Sequence, residues 1–400
     1  MAYVNYTGSD IVLSGNAGEI TYAASVAYPI VITVGGNNYN VRGIPDSRER
    51  TMKLSRILQA LPLDSITPPT PNDVCSLIQP NIIQIAAAGS SAAPVSIKVI
   101  KGLIGSGQEI SAAQMGNLLK KTASVAPFRR STFPNAIEYI SVYLPQDTNN
   151  VSECIYVYVD GNNSGTGQAV RTTGFTLISR LAGRGEDSLT KGTIITIKVD
   201  IESILDTFRE VYDFTDITNL RISIQVIPSN HDTPKFIYYK IKSGSTRNTN
   251  FAFLNDLGGI DSIHAIGGKR TSHEFSTVIF TNNGKESAVR MDEKQNKEAS
   301  SGPIASREEA EYWLSFLRST KKYIIRDNIF GAKEIVPILI DDTSVDISSG
   351  SISEIKFKYR TDTEEGADSR LSQLDYDIHK DIHPKENGRP HRKERPHSHH

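Results

Sequence analysis

One stretch in the second half of the chain restricts the fold more than any other. Residues 250–261 read NFAFLNDLGGID, an apolar run that ends on paired glycines. A second apolar run, Ile263–Ile266, ends on Gly267 and Gly268. Glycine adopts positive φ without steric cost, so glycine pairs are typical of backbone reversals. The pattern predicts a buried segment that turns back on itself and acts as a hinge between two halves of the chain.

Length and charge limit the classes of protein to which the chain can belong. At roughly 100–200 residues per domain, 400 residues predict two to four domains. The formal net charge is −1, so no basic surface for a nucleic-acid partner is expected. No run approaches about 18 apolar residues, which predicts no membrane insertion. The N-terminus lacks the basic and apolar regions of a signal peptide, so we expect a protein kept in a cytoplasm or released by lysis.

Residues 1–107 predict a β-rich domain with one amphipathic helix. Two glycines between the β-branched run Ile30–Val34 and Tyr39–Val41 predict a hairpin. A helix is predicted to open near Ser47 and to end at Pro62. Its apolar residues recur with helical spacing at Leu54, Ile57, Leu58 and Leu61.

The middle of the chain predicts a linker followed by an antiparallel β-sandwich. Residues 64–94 are expected to be largely loop, and residues 108–135, with weak helical periodicity, a linker. Over residues 136–249, short β-forming runs alternate with turn signals, as in sandwich domains. The six runs are 137–144, 154–159, 175–178, 193–199, 220–227 and 236–241. A short helix over residues 201–208 is predicted to pack on them.

Residues 250–360 predict a C-terminal α+β domain. Ser306 and Glu309 have capping-box spacing, and the apolar face that follows predicts that Trp313 is buried. Pro337 requires its strand to lie at an edge or to carry a bulge. The charged segment Met291–Ser301 predicts no regular structure. Strands are predicted at 274–280, 323–326, 334–340 and 353–360, the last with a basic outer row.

Taken together, these patterns predict a mainly β, β-rich α+β fold. Serial antiparallel β-sandwich-like domains carry a few short helices, and they end in a tail at residues 361–400. Apolar residues nearly vanish in this tail, which predicts disorder.

No pattern in the chain indicates catalysis. We predict no catalytic residue, no cofactor and no metal site, and therefore no enzyme. The residue at position 110 is Ile110, where a dinucleotide fingerprint would require glycine. His264 and His273 are interpreted as structural, because no partner nucleophile is in view. Flexible metal chelation stays open for the tail histidines, which are His391, His397, His399 and His400.

Two further pairs of residues are interpreted as structural. Cys75 and Cys154 have the character of small, half-buried apolar residues, and sequence gives no distance that would decide a disulfide. Asp341 and Asp342 follow a predicted strand, and a turn is favoured over a cation site there.

Three pieces of the chain resemble bacteriophage and prophage tail proteins. They are the Asn-x-Leu-Gly-Gly-x-Asp junction within Phe253–Asp261, the helix Ser306–Leu317 and the hydrophobic-Pro-hydrophobic strand Glu334–Ile340. The resemblance implies a non-enzymatic virion structural protein, a subunit of a tail or tail-tip (baseplate-like) assembly. Implied partners are other copies of the chain and neighbouring virion tail proteins. Assembly in the host bacterial cytoplasm is implied, and contact with a host surface receptor is left open.

The alternative is an adhesin or carbohydrate-binding β-sandwich module. Tyr238–Tyr239 and the pair Tyr156 and Tyr158 would supply an aromatic platform. The missing secretion signal tells against an exported adhesin.

Overall fold

The structure is a computed structural model, and most of the chain is described. The described residues are 2–24, 30–42, 46–70, 73–127, 129–147, 152–171, 175–180, 189–210, 217–226, 235–242, 248–267, 270–282, 285–327, 332–348 and 351–361. The predicted tail beyond Thr361 lies outside them.

Within the described residues, strands greatly outnumber helices, so the chain is mainly β as predicted. The elements in chain order are β1 (Tyr3–Tyr6), β2 (Ile11–Leu13), β3 (Glu19–Ala24), β4 (Ile30–Val34), β5 (Asn37–Val41), β6 (Asp46–Lys53), α1 (Leu54–Ala60), β7 (Cys75–Ile78), β8 (Asn81–Ala87), β9 (Val95–Ile100), α2 (Ala112–Leu119), β10 (Arg129–Thr132), β11 (Ile137–Tyr143), β12 (Ser152–Asn163), β13 (Ala169–Arg171), β14 (Phe175–Arg180), β15 (Ile194–Asp200), α3 (Ile201–Arg209), β16 (Ile217–Val226), β17 (Lys235–Ile241), β18 (Thr249–Leu254), β19 (Ile260–Ala265), β20 (Arg270–Asn282), β21 (Lys285–Ser300), α4 (Arg307–Arg318), β22 (Lys322–Asp327), β23 (Lys333–Ser348) and β24 (Ser351–Thr361).

The N-terminal block contains two sheets around one core. A five-stranded sheet has the order β2-β9-β8-β4-β5, and a three-stranded sheet has the order β1-β3-β6. The β4–β5 hairpin is confirmed, and Gly35 and Gly36 at its turn both have positive φ (54° and 82°). The predicted helix start near Ser47 is wrong, because residues 46–53 pair with β3 and only Leu54–Ala60 is helical. The strand pairing of residues 46–53 with β3 moves the helix start to Leu54, while the apolar spacing at Leu54, Ile57 and Leu58 does fall within α1.

The middle block is a two-sheet sandwich, as predicted. One sheet has the order β11-β15-β7, and the other has the order β10-β17-β16-β12-β13 with β14 also on β12. Apolar side chains of both sheets and of α3 meet in one core. Two features depart from the sequence pattern. Strand β7 comes from the region expected to be loop, and β10 pairs with β17 in parallel rather than antiparallel.

The C-terminal block is a seven-stranded sheet with α4 on one face. Its strand order is β19-β18-β22-β23-β24-β21-β20. The expectation of no regular structure over Met291–Ser301 is wrong, because β21 runs to Ser300 and pairs with β20. Ladder hydrogen bonds are made by the backbone, so this strand forms without the apolar alternation on which periodicity depends. Pro337 is paired on one side only within the described chain, and a bulge follows it at residue 341.

Helix α4 forms as its sequence predicts. The Ser306 hydroxyl accepts a hydrogen bond from the Glu309 amide at 3.1 Å, while the Glu309 carboxylate accepts one from the amide of Ala305 rather than from that of Ser306. Trp313 is 2% exposed and packs edge-on against Phe316 with ring centroids 5.7 Å apart. The capping residue and the apolar face therefore determine where this helix begins and which side is buried.

The three blocks share a central core. It combines β2 and β9 of the N-terminal block, β11 and β15 of the middle block, and β18 and β19 of the C-terminal block. Met115 and Leu119 of α2 are buried in it, within the stretch of residues 108–135 that we expected to be a linker. The domain boundaries proposed from the sequence stay a prediction, since apolar packing is continuous across them.

Candidate functional site

The glycine-rich turn between β18 and β19 lies at the centre of this shared core. Gly258 has a φ of +84°, and a Cβ there would come within 2.6 Å of the Lys101 carbonyl oxygen. A Cβ on Gly259 would come within 2.1 Å of the Ala123 carbonyl oxygen. Both glycines therefore permit close approach by other parts of the chain. The predicted reversal is confirmed, but the segment is a fixed hairpin in the core rather than a hinge.

Asn255 organises this turn. Its side-chain oxygen accepts hydrogen bonds from the amides of Leu257 (2.9 Å) and Gly259 (3.1 Å). Its side-chain nitrogen donates to the Ala123 carbonyl (2.8 Å) and to the Asp261 carboxylate (2.9 Å). One buried amide thus closes the turn and attaches it to the segment after α2.

Asp261 completes the same network. Its carboxylate accepts hydrogen bonds from the Ser124 hydroxyl and from the Val125 amide at 2.9 Å. Burial raises the pKa of Asp261 above its usual range, although the charge of Arg130 and these hydrogen bonds favour the ionised form. The term junction denotes residues 255–261 together with the groups to which they are hydrogen-bonded.

The junction also contacts both preceding blocks. The Asp256 carbonyl accepts a hydrogen bond from the Leu103 amide at 2.7 Å, which ties the turn to the N-terminal block. The Ser141 hydroxyl on β11 accepts from the Ile260 amide at 2.8 Å, and the Tyr143 hydroxyl donates to the Leu257 carbonyl. The turn is therefore hydrogen-bonded to each part of the shared core.

A buried ion pair lies beside the junction. Glu138 on β11 and His264 on β19 are 2.5 Å apart, Oε1 to Nε2, with side chains 1% and 8% exposed. The other ring nitrogen of His264 lies 2.6 Å from the Asn250 side-chain oxygen, so both ring nitrogens have polar partners. Ser262 donates its hydroxyl to the second Glu138 oxygen.

Burial alone favours the neutral form of Glu138. The charge and hydrogen bond of His264 outweigh it, together with the charge of Arg130 and the Ser262 hydroxyl. The pKa of Glu138 consequently lies below its usual range.

The ion pair forms part of the wall of a cleft of about 290 Å³ between the middle sandwich and α4. Arg130 lines the same cleft, donating to the Pro127 carbonyl at 3.0 Å and lying over the Tyr239 ring at 5.4 Å. Its Nη1 is buried and has no hydrogen-bond partner among the described residues. Burial lowers the pKa of Arg130, but nearby Tyr239, Tyr312, Asp261 and Glu138 raise it overall, so the guanidinium stays charged.

Among the described residues of this cleft, Ser262 and His264 are not arranged as a nucleophile and its base. Both ring nitrogens of His264 are engaged, one by Glu138 and one by Asn250. The Ser262 hydroxyl bonds the carboxylate and not the imidazole, so the ring is not placed to accept its proton. The arrangement joins β11 to β19 and holds charge in the interior.

Acid titration of Glu138 gives a first prediction. Its folded pKa lies below the unfolded value of about 4.3, so its contribution to stability is fully present above that pH and is lost as the pH falls through the folded pKa. Asp261, with a raised pKa, contributes with the opposite sign. Urea unfolding gives the free energy of unfolding of the wild type and of Glu138→Gln across this pH range. The difference between the two free energies should shrink as the pH falls. A difference that is constant with pH would contradict the assignment.

The remaining candidate residues are placed as follows. Asp341 and Asp342 lie within β23 and not in a turn, and they pair with Arg360 (3.3 Å) and Lys358 (4.0 Å) on β24. The predicted basic outer row of β24 is thus matched by acidic residues. Cys75 is half-buried against the middle core, as interpreted. The side chains of His273 and Cys154 lie outside the described part of the structure.

The tyrosines proposed as a platform are divided between two faces of one sheet. Tyr239 is fully buried, whereas Tyr158 and Tyr238 are half-buried on the opposite face. The Arg171 guanidinium covers the Tyr158 ring at 4.3 Å, and Ser223 between the two tyrosines is buried. This face is therefore partly covered rather than open.

Sequence reasoning noticed the junction motif but missed the roles of Asn255, Asp261, Glu138 and Arg130. The only signal was the presence of charged residues in or beside strongly apolar strands. Within the ranges described, no three His, Cys, Asp or Glu side chains are grouped so that they could hold a metal. Nor does any helix there have the length and apolarity to cross a membrane.

Comparison with known proteins gives a distant structural likeness. No family model matches the chain, and no curated protein matches it. A chain in the solved structure titled "Virion of native gene transfer agent (GTA) particle" is 11% identical, with a TM-score of 0.21. The match covers 29% of this chain and 92% of that one.

Proposed function

We propose that this chain is a non-enzymatic structural subunit of a phage-like particle, within its tail or tail-tip assembly. The observation that carries the proposal is the C-terminal sheet, which leaves long strand edges without a partner in the described chain. Strand edges of this kind pair readily with other chains. The resemblance of the junction, α4 and β23 to phage tail proteins supports the same role.

The first of these edges belongs to β23. Strand β22 pairs only with residues 333–338, and β24 takes the other side from Ile338 onward. The next residues, 339–346, therefore have a partner on one side only. Leu339 and Val345 on this stretch are 47% and 38% exposed.

The second edge belongs to β20, the last strand of the sheet. It is thirteen residues long, and within the described chain it pairs only with β21. A subunit that presents two such edges is suited to assembly with neighbours.

The junction supports the same role. A subunit that transmits load through an assembly needs blocks that do not rotate against each other. Here one buried turn is hydrogen-bonded to all three blocks, and an ion pair joins two of them. The Asn255 side-chain oxygen and nitrogen are both hydrogen-bonded, and a buried polar group satisfied in this way favours one arrangement of the turn.

Under this proposal the partners are other copies of the chain and neighbouring tail proteins. Assembly takes place in the bacterial cytoplasm, and the mature location is the virion. Contact with a host receptor would be a further property of the assembled tip.

The proposal is tested on particles rather than on the isolated chain. Particles from a producing strain are purified and crosslinked, and crosslinked peptides are identified by mass spectrometry. We expect the chain in the particles, with crosslinks from residues 250–360 to another copy or to a neighbouring tail protein. If the chain is missing from purified particles, or if residues 250–360 crosslink only within one copy, the proposal is wrong.

A carbohydrate-binding module is the second candidate. Half-buried Tyr158 and Tyr238 on one sheet face, with Phe236 stacked on Tyr238 at 6.2 Å, are its support. Arg171 over Tyr158 and the buried Ser223 leave less aromatic surface for a sugar than an open platform would. The geometry therefore favours the assembly role.

A further inference from the structure

The ribbon formed by β20 and β21 extends well beyond the rest of its sheet. Strand β21 pairs with β24 only over Lys297–Ser300. Residues 285–296 pair only with β20 in the described chain. At roughly 3.4 Å per residue, these twelve residues of β21 and the β20 residues opposite them form a two-stranded ribbon about 40 Å long. An isolated two-stranded ribbon is marginally stable in water, so this one is expected to gain stability from a third strand.

The two free edges of the sheet differ in how they resist pairing. The free part of β23 contains three aspartates, Asp341, Asp342 and Asp346, and Asp341 is the extra residue of a bulge. Charge and bulges at an edge are the usual means by which a strand avoids other chains. The β23 edge is therefore guarded against a second copy of itself, because like charges opposite each other on paired strands are unfavourable, and it stays available to a strand of a different neighbouring protein.

The β20 edge has charged residues only in its first five positions, at Arg270 and Glu274, and neither device beyond them. Its segment Phe275–Thr281 contains no charged residue and no proline. The one register shift in the ribbon places its extra residue, Val289, in β21, so β20 runs without interruption. Uncharged segments rich in β-branched and aromatic residues are those that pair most readily when exposed.

We propose that the β20 edge pairs with the β20 edge of a second copy of this chain, in antiparallel fashion about a twofold axis. This inference rests on the proposed function and names the contact through which copies meet. When two identical strands pair antiparallel, each chain contributes the same edge. Both edges are then occupied, so the contact produces a dimer and does not continue to a third copy. An uncharged segment requires no partner of opposite charge, and a net charge of −1 gives little repulsion between copies.

Single-cysteine variants test the twofold contact. In a Cys75→Ser, Cys154→Ser background, each residue from Phe275 to Thr281 is replaced by cysteine in turn, and each variant is oxidised separately. A residue close to the twofold axis lies opposite the same residue of the second chain. At least one variant should therefore form a disulfide-linked dimer. The matched control is Ser344→Cys, an exposed residue on the guarded β23 edge, which should stay monomeric.

A shortened ribbon tests the same contact without cysteines. Glu274 and Lys294, which face each other in the ladder, are joined by Asn-Gly, a sequence suited to a two-residue hairpin turn. The described residues in the removed range pair only with one another, so the fold should persist, as judged by the emission of the single tryptophan, Trp313. The full chain should sediment as a dimer at high concentration, and the shortened chain as a monomer.

Each result decides the inference. Disulfide dimers through β20 cysteines that are absent for Ser344→Cys, together with a sedimenting dimer of the full chain that the shortened chain does not form, support it. Absence of β20 crosslinks, equal crosslinking at Ser344→Cys, or a full chain that is monomeric throughout overturns it. If the chain is found in particles without β20 contacts, the inference fails while the proposed function stands. If β20 contacts form but the chain is absent from particles, the proposed function fails instead.

Discussion

Glu138→Ala should lower the free energy of unfolding by about 3–5 kcal/mol, the usual effect of removing one partner of a buried ion pair. The change leaves His264 buried with no carboxylate opposite its Nε2, and it leaves the Ser262 hydroxyl without its acceptor. Most of the lost free energy comes from leaving the buried His264 side chain without a polar partner at Nε2. Urea unfolding at neutral pH measures it.

Two variants serve as controls for this result. Glu311→Ala breaks an exposed ion pair on α4, Arg307 Nε to Glu311 Oε1 at 3.0 Å, and should cost less than about 0.5 kcal/mol. The double variant Glu138→Ala, His264→Ala should cost less than the sum of the two single changes, because the pair is then removed as a unit. Additive costs would show that the two side chains do not interact.

Trp313→Ala should cost about 3–5 kcal/mol of unfolding free energy, as large aromatic truncations in a core do. Trp313 is 2% exposed and contacts Phe316 and Phe357, which link α4 to β24. The cavity would lie between the helix and the sheet that carries the free edges. Unfolding followed by circular dichroism measures the loss.

The same residue provides a check on the wild type. As the only tryptophan, Trp313 should show the blue-shifted emission of a buried indole. Leu317→Ala, at a half-buried position of the same helix, should be less destabilising than Trp313→Ala. Solvent-like emission, or equal costs for the two variants, would mean that α4 does not pack as described.

Local signals in the sequence were sufficient for several elements. Helix α4 begins after Ser306 because a hydroxyl at that position satisfies an amide that has no partner within the helix. The β4–β5 hairpin follows from two adjacent glycines that both take positive φ. The alternation in β24 fixed which of its residues face the core, and β23 supplies the acidic partners of its basic row.

Elements that depend on a distant partner were not predictable in this way. A helix start is predicted near Ser47, yet residues 46–53 pair with β3 as a strand and the helix begins only at Leu54. Strand β7 follows a proline-rich region, and it forms because it pairs with β15, which lies more than a hundred residues later in the chain. Ladder hydrogen bonds are made between backbones, so neither case leaves a periodic signature in the side chains.

The candidate site shows the same division most clearly. The sequence by itself determined that residues 250–261 are apolar, end on glycines and reverse direction, because only glycine takes those backbone angles cheaply. Tertiary structure alone decided that Asn255 and Asp261 bond each other across that turn and that Glu138 meets His264 from 126 residues away. Burial makes a charged side chain costly unless it is paired, and which pairs form depends on strands brought together by the whole fold.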